Sequence, residues 1–323
     1  MSSDDQRWMK AALALAERGV GRTAPNPSVG CGIVRDGVVV GRGWTQPGGR
    51  PHAEAEALAQ AGAAARDATV CTSLEPCAHV STRGGSCTDA LIAAGVSRVV
   101  AAVVDPDPRT AGQGMARLAA AGIEVATGIC EGGGRAVAAG FFSRVVLGRP
   151  RMTLKLAMSL DGRIAMASGE SQWITGAAAR QHAHLLRAKS DMILVGRGTW
   201  EADSPSLDVR LPGLTERSPR IGILSSSMPD GGRAEVFRST SALCGVEGVN
   251  DLLVEGGVTA GAALLRDDLI DRLILYRAPL LLGAGLGLVD VGLDRLADSH
   301  GRWRPVENRQ LGVDRLEIYE RTR

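Results

Sequence analysis

The chain has 323 residues, 45% of them hydrophobic and 22% charged, a profile that excludes a disordered or collagen-like polymer despite 42 glycines. That length exceeds one average domain, and two are expected. Lys+Arg of 37 against Asp+Glu of 35 leaves +2, so no overall positive field directs the chain to nucleic acid or to an anionic membrane.

In chain order, Trp8, Met9, Ala12, Leu13 and Ala16 recur at helical spacing over 6–18. Pro25-Asn26-Pro27 interrupts, and Gly32-Ile33-Val34 and Val38-Val39-Val40 flank Arg35-Asp36-Gly37, a hairpin signal. The pattern predicts a helix over 53–65, a strand over 69–74, a short helix near 87–94, a strand over 99–104, a helix over 113–121 and a strand over 124–127. Strands spaced by helices imply a layered α/β domain with some parallel pairing. Over 132–151 the pattern loosens into Gly132-Gly133-Gly134 and Gly148-Arg149-Pro150, which puts a domain boundary near 147. A second series follows: a strand from Met152, a helix over 176–188, strands at 192–195, 221–224 and 252–255, a helix, then a strand at 273–276. Leu280-Leu281-Leu282 reads as core strand, and no repeat relates the halves.

Asp4 and Asp5 precede an amphipathic run rather than a signal peptide, and no segment reaches the roughly 18 uninterrupted apolar residues of a membrane span. The cytosol is the expected compartment, where six cysteines are expected as thiols or metal ligands. Cys31, Cys71, Cys130 and Cys244 sit in apolar runs without a partner and read as small hydrophobes.

The sharpest chemical signal is His52-Ala53-Glu54 followed by Glu75-Pro76-Cys77. A catalytic zinc takes imidazole and thiolate donors and keeps its fourth position for water. His52 and Cys77 supply two donors. The third is His79 or Cys87 on spacing alone, and Cys87 is preferred because His79 stands only two positions from Cys77. Glu54, two residues after His52, is placed to reach the water without binding the ion. Pro76 suits the first position of a short helix whose N-terminus would favour the Cys77 thiolate. A purely structural zinc would want four protein ligands and would have no use for Glu54. H-x-E followed by P-C-x-x-C marks zinc nucleobase deaminases; here the later cysteine is Cys87.

Residues Pro25–Gly30, Pro51-His52-Ala53-Glu54, Leu74–His79 and Asp105-Pro106-Asp107-Pro108 resemble the deaminase domain of the bifunctional riboflavin-biosynthesis deaminase/reductases, the RibD family. The resemblance implies a cytidine-deaminase-like three-layer α/β domain over 1–147, zinc on His52, Cys77 and Cys87, and Glu54 as proton shuttle. It further implies Asn26 as a substrate contact and His79 beside the substrate phosphate. Arg83 is the candidate basic phosphate contact, in a run one residue longer than the family's. Asp107 replaces the family's asparagine and is assigned no role.

The second half lacks G-x-G-x-x-G after its first strand, which argues against an ordinary Rossmann site. Val254-Glu255-Gly256-Gly257 instead runs from a strand into a helix, where glycines admit a pyrophosphate; a tight turn without ligand is the alternative. Lys155–Ala165, Ser171–Thr175 and Leu194–Thr199 resemble the reductase domain of the same family, which implies a dihydrofolate-reductase-like, NADPH-dependent domain over 148–323. The resemblance implies cofactor contacts at Ala157, Trp173, Thr199, Asp203, Ser225 and Gly257, and substrate contacts at Ser171, Arg187, Leu207, Arg210 and Glu255. Arg187 and Arg210 are fork donors suited to phosphate, and Lys155 is suited to polarise a substrate carbonyl. Between Ser225 and Asn250 the chain is shorter than the family pattern.

Together the halves imply small phosphoribosyl pyrimidine substrates, zinc and NADPH as cofactors, no nucleic acid or membrane partner, and homo-oligomers through the reductase half. A nucleic-acid base deaminase with an accessory domain is the competing class. It would need a basic groove with stacking platforms, against ten aromatics in the whole chain.

Overall fold

The computed structural model describes residues 3–80, 84–227 and 232–323. The chain divides into two compact units, Met1–Gly148 and Arg149–Arg323.

In the first unit the order is α1 (Ser3–Ala16), β1 (Gly30–Arg35), β2 (Val38–Trp44), α2 (Ala53–Ala61), β3 (Thr69–Thr72), α3 (Cys87–Ala94), β4 (Arg98–Ala101), α4 (Gln113–Ala120), β5 (Glu124–Thr127), α5 (Glu131–Val137) and α6 (Ala139–Leu147). The strands form one sheet in the order β2-β1-β3-β4-β5, antiparallel on the hairpin side and parallel from β3 to β5. Because side chains alternate along a strand, Ile33, Val70 and Val99 join Ala53, Ala57, Leu91 and Leu118 in one core, while Cys71 and Val100 join Met9 and Ala12 in another. Helices on both faces make three layers. Glycine sets how closely α2 lies on the sheet: a Cβ at Gly41 would sit 2.2 Å from the Ala57 carbonyl oxygen, and one at Gly43 2.3 Å from that of Ala53. That contact fixes where α2 begins, and so where His52 and Glu54 stand.

The second unit contains β6 (Arg151–Met158), α7 (Ala177–Ala188), β7 (Met192–Gly196), α8 (Arg197–Asp203), β8 (Arg220–Leu224), β9 (Glu235–Phe237), β10 (Asp251–Glu255), α9 (Val258–Arg266), β11 (Arg272–Arg277), β12 (Trp303–Leu311) and β13 (Asp314–Arg321). Eight strands run in the order β12-β13-β11-β6-β10-β7-β8-β9, parallel from β11 to β9, with the antiparallel β12–β13 hairpin at one edge. On β6, Met152, Leu154 and Leu156 are buried in the larger core with Leu264 of α9. Lys155 lies on the opposite face of that strand.

Several sequence expectations are corrected here. Residues 131–147 are helical rather than linker; Gly134 faces Ser73 and Ala102 so closely that a Cβ would meet the Ala102 Cβ at 2.9 Å, so this glycine serves packing. Residues 75–80 form no helix, so Pro76 starts none. Leu280–Leu282 form no strand and Leu281 is exposed, because the Leu282 and Gly283 N–H groups donate to the Asp161 carboxylate instead of a ladder. The polar-rich strands β12 and β13, the three-residue β9 and the helix α8 had no sequence counterpart; Pro305 is tolerated in β12 because that strand is at the sheet edge. Among the described residues no helix is long and apolar enough to cross a membrane.

Candidate active sites

The first site is assembled at the start of two helices. His52 is the residue before the first turn of α2, Glu54 lies buried within that turn, and Cys87 opens α3 behind the Ser86 cap, whose Oγ accepts from the Asp89 N–H at 3.0 Å. Cys77 is in the loop after β3. Glu75 holds that loop in place: its carboxylate accepts from the backbone N–H groups of Gly112 (2.9 Å), Asp105 (3.2 Å) and Met115 (3.2 Å). Thr88 Oγ1 donates to the Cys77 carbonyl at 3.0 Å. The glutamate of Leu-Glu-Pro-Cys is therefore scaffold.

His52 Nδ1 lies 3.3 Å from Cys87 Sγ and 3.6 Å from Cys77 Sγ, and the ligand atoms of all three residues lie within 4.8 Å of one another. Tetrahedral zinc, with Zn–N near 2.0 Å and Zn–S near 2.3 Å, separates its nitrogen and sulfur donors by about 3.5 Å, so the donor set fits that ion. The Cys87 N–H donates to Cys77 Sγ at 3.3 Å, which supplies the helix N-terminus expected, wrongly, from Pro76. Hydrogen bonding from Cys87, opposed by burial and reinforced by His52, lowers the Cys77 thiol well below its usual range. Burial raises the Glu54 carboxyl above its usual range, partly offset by His52. For His52, burial acts downward but is outweighed by the Cys77 hydrogen bond and the Glu54 charge, and its pKa is raised. Glu54 also hydrogen-bonds the Cys87 side chain, which places its carboxyl beside the cluster. Among the described residues the cluster has three protein donors, so a fourth position is left for water.

Asn26 Nδ2 donates to the Gly49 carbonyl at 2.8 Å and lies 3.2 Å from His52 Nε2. It therefore orients the imidazole from the side away from the sulfurs, a task sequence reasoning had not given it. His79 is outside the cluster; its Nδ1 is 3.3 Å from Thr110 Oγ1. Arg83 lies outside the described residues. His52 and Cys87 border a cavity of about 370 Å³ whose wall also carries Arg50, which the sequence reading did not single out.

The second site is a cavity of about 930 Å³ in the carboxy-terminal unit. All six expected cofactor residues, Ala157, Trp173, Thr199, Asp203, Ser225 and Gly257, line it, as do Lys155, Ser171, Arg187, Leu207 and Glu255. Arg210 does not; it is exposed and its Nε donates to Asp208 Oδ1 at 3.0 Å. Glu255 is buried at the end of β10, beside Lys155 on β6 in register. Arg187 of α7 grips it bidentately, Nε to Oε1 at 2.8 Å and Nη2 to Oε2 at 3.0 Å, and Lys155 Nζ is 3.6 Å from Oε2. Burial alone would raise this carboxyl, but Lys155 and Arg187 overcome it and hold it at about 2. A third Arg187 donor, Nη1, reaches the Asp208 carbonyl at 3.0 Å, so the guanidinium is braced rather than free. Trp173 is 67% exposed and its ring is covered by the Arg180 guanidinium at 4.9 Å, a pairing with no sequence signal. Gly256 and Gly257, at φ +72° and +73°, bring the turn before α9 against the Thr199 side chain.

Comparison with known proteins follows this division. Residues 2–103 match the cytidine and deoxycytidylate deaminase zinc-binding region, and residues 150–315 match the RibD C-terminal domain. The riboflavin biosynthesis protein RibD of Escherichia coli is 41% identical over 96% of this chain and 97% of its own length, and that of Aquifex aeolicus 36% identical over 98% of each. Among solved structures, Acinetobacter baumannii RibD (form 1) superposes with a TM-score of 0.87 at 38% identity, covering 99% of both chains. The Thermotoga maritima diaminohydroxyphosphoribosylaminopyrimidine deaminase/5-amino-6-(5-phosphoribosylamino)uracil reductase gives 0.88 at 29% identity, covering 98% of this chain and 99% of that one. With a His/Cys/Cys centre in one unit and a reductase fold in the other, the chain belongs to the RibD family of bifunctional riboflavin-biosynthesis enzymes, a zinc-binding deaminase domain followed by an NADPH-dependent reductase domain.

Proposed function

We propose that residues 1–147 deaminate 2,5-diamino-6-(5-phosphoribosylamino)pyrimidin-4-one and that residues 148–323 reduce the ribose of the resulting 5-amino-6-(5-phosphoribosylamino)uracil to a ribityl chain, in the cytoplasm. The observation that carries this reading is the convergence of His52, Cys77 and Cys87 with a buried carboxylate, Glu54, at their side. Zinc on those three donors supplies the Lewis acidity that makes water a nucleophile near neutral pH. Glu54 takes the proton from the attacking water on its carboxylate oxygen and returns it to the departing amino group; burial, which raises its pKa, favours the protonated form it holds between those two transfers. Asn26 keeps the imidazole turned to the sulfurs and contacts the pyrimidine, while His79 and Arg83 serve the substrate phosphate.

In the second half, NADPH supplies the reducing equivalents. Ala157, Trp173, Thr199, Asp203, Ser225 and Gly257 bind it. Lys155, oriented by Glu255, polarises the sugar carbonyl of the opened ribose, and Ser171, Leu207 and Arg187 position the substrate. Arg210 binds the phosphate only if its exposed side chain leaves Asp208 when substrate enters. A coupled assay on the purified full chain, following ammonia release and NADPH absorbance together, tests the reading. Both signals are expected, with reduction dependent on prior deamination; ammonia release from DNA or RNA bases but not from the free nucleotide would replace it with the nucleic-acid reading.

A further inference from the structure

The large cavity runs across the carboxyl ends of β6, β10, β7, β8 and β9, neighbours in that order. At about 4.8 Å between strands, it spans roughly 19 Å of sheet edge. The Gly256–Gly257 turn at the head of α9, packed against Thr199, stands on the β10–β7 side of the middle and is the natural seat of a pyrophosphate. Lys155 and Glu255 lie on one side of that seat, and the reacting ring belongs with them. The adenosine end of a dinucleotide is then directed toward β8 and β9.

At that far end the Ser225 N–H donates to the Phe237 carbonyl at 2.9 Å, which zips the two strand ends together. Arg238 follows directly, and its Nη2 donates to the Ser226 carbonyl at 2.7 Å. The guanidinium is thus held across the end of β8, on the cavity wall, with donors to spare, and among the described residues it makes no ion pair. Pockets that read a free ribose 2′-hydroxyl place a carboxylate there, and those that accept a 2′-phosphate place an arginine. Among the described residues, the acidic ones on the wall are Glu255, already neutralised by Arg187 and Lys155, and Asp203, which ends α8 after the central β7. Arg197, also on the cavity wall, faces Glu201 at 3.9 Å.

We propose that Arg238, braced on Ser226 beside Ser225, is the residue that binds the 2′-phosphate of the dinucleotide and makes the reductase half select NADPH over NADH. This rests on the large cavity being the cofactor site. Sequence reasoning missed Arg238 because it follows a strand of only three residues in a stretch that read as irregular.

Calorimetric titration of the full chain tests it, with NADPH, NADH, adenosine 2′,5′-bisphosphate and AMP as ligands and no turnover required. Arg238→Ala is expected to weaken NADPH and the bisphosphate by about 10- to 100-fold, the cost of losing a charge-assisted contact, and to leave NADH and AMP unchanged. Arg238→Lys is expected to restore part of the loss, because it returns the charge without the planar fork. Equal weakening of NADPH and NADH, or none of either, overturns the assignment while leaving the cavity as cofactor site. Wild-type chain that binds neither dinucleotide would overturn the cavity reading itself.

Discussion

The two active regions concentrate their chemistry differently. In the amino-terminal unit, three metal-type donors and one carboxyl meet around the starts of two helices, with the Cys87 N–H donating to Cys77 Sγ beside His52. In the carboxy-terminal unit, the groups are strung along five strand ends, and the one buried carboxylate near the reacting end, Glu255, is fully committed to Arg187 and Lys155. The first site is a point that depends on an ion. The second is a preformed electrostatic wall that holds its charges with protein partners alone. The two should therefore fail independently and for different reasons.

The largest effect is expected from removing a donor of the first site. His52→Ala or Cys87→Ala should abolish zinc retention, measured by metal analysis, and lower ammonia release by more than about 10⁴-fold, since unassisted water is roughly nine pKa units less acidic. NADPH oxidation with supplied uracil intermediate should continue. Glu54→Gln keeps the donors and should keep the metal, while ammonia release falls by about 10²- to 10⁴-fold; loss of zinc together with activity would show that Glu54 is a ligand instead.

On the other side of the comparison, Arg187→Ala strands the buried Glu255 charge. It should cost about 3–5 kcal/mol of stability in urea unfolding and stop NADPH oxidation with ammonia release intact; loss of both activities would point to coupled unfolding of the two units.

The smallest effect contrasts the two ends of β10. Glu255, held at about 2, sheds its proton in the folded chain before the unfolded one does. Its contribution, about 3 kcal/mol, is present above its ordinary pKa of 4.5 and is lost as pH falls toward 2. Asp251, at the start of the strand, is pushed up to about 7 by burial. Here the folded chain keeps the proton that the unfolded chain releases, so stability falls as pH rises from 3.8 to 7, by about 4 kcal/mol, and is level beyond. Relative to wild type, Asp251→Asn should gain stability with rising pH across that window, and Glu255→Gln should lose it above its own window. Parallel pH profiles for the two variants would contradict the assignment.

How much of this was legible depended on the distance over which the information is spread. His52-Ala53-Glu54 and Glu75-Pro76-Cys77 are short runs whose residue types have few uses other than metal and proton chemistry, so the centre could be read before it was seen. Arg187 and Glu255 are 68 residues apart, and nothing in either neighbourhood says that they meet. Local signals also misled. Glycines 132–134 suggested a linker but lie in α5, where Gly134 packs against Ser73 and Ala102 and Gly133 against Leu13 of α1, and three leucines at 280–282 suggested a strand although Asp161 takes the N–H groups of Leu282 and Gly283. Arg210 matched on residue type but stands outside the cavity that holds the other reductase residues.

The sequence by itself determined the donor chemistry: imidazole, thiols and a carboxyl in an order that few folds use otherwise, and two α/β series separated by a change of pattern near 147. Only the tertiary structure decided which third donor joins His52 and Cys77, because spacing allows His79 as well as Cys87, whereas the approach of α3's first residue to Cys77 Sγ admits Cys87. It also decided that Arg238 stands at the far end of the reductase cavity, since neighbouring parallel strands bring their carboxyl ends to one edge whatever their separation along the chain.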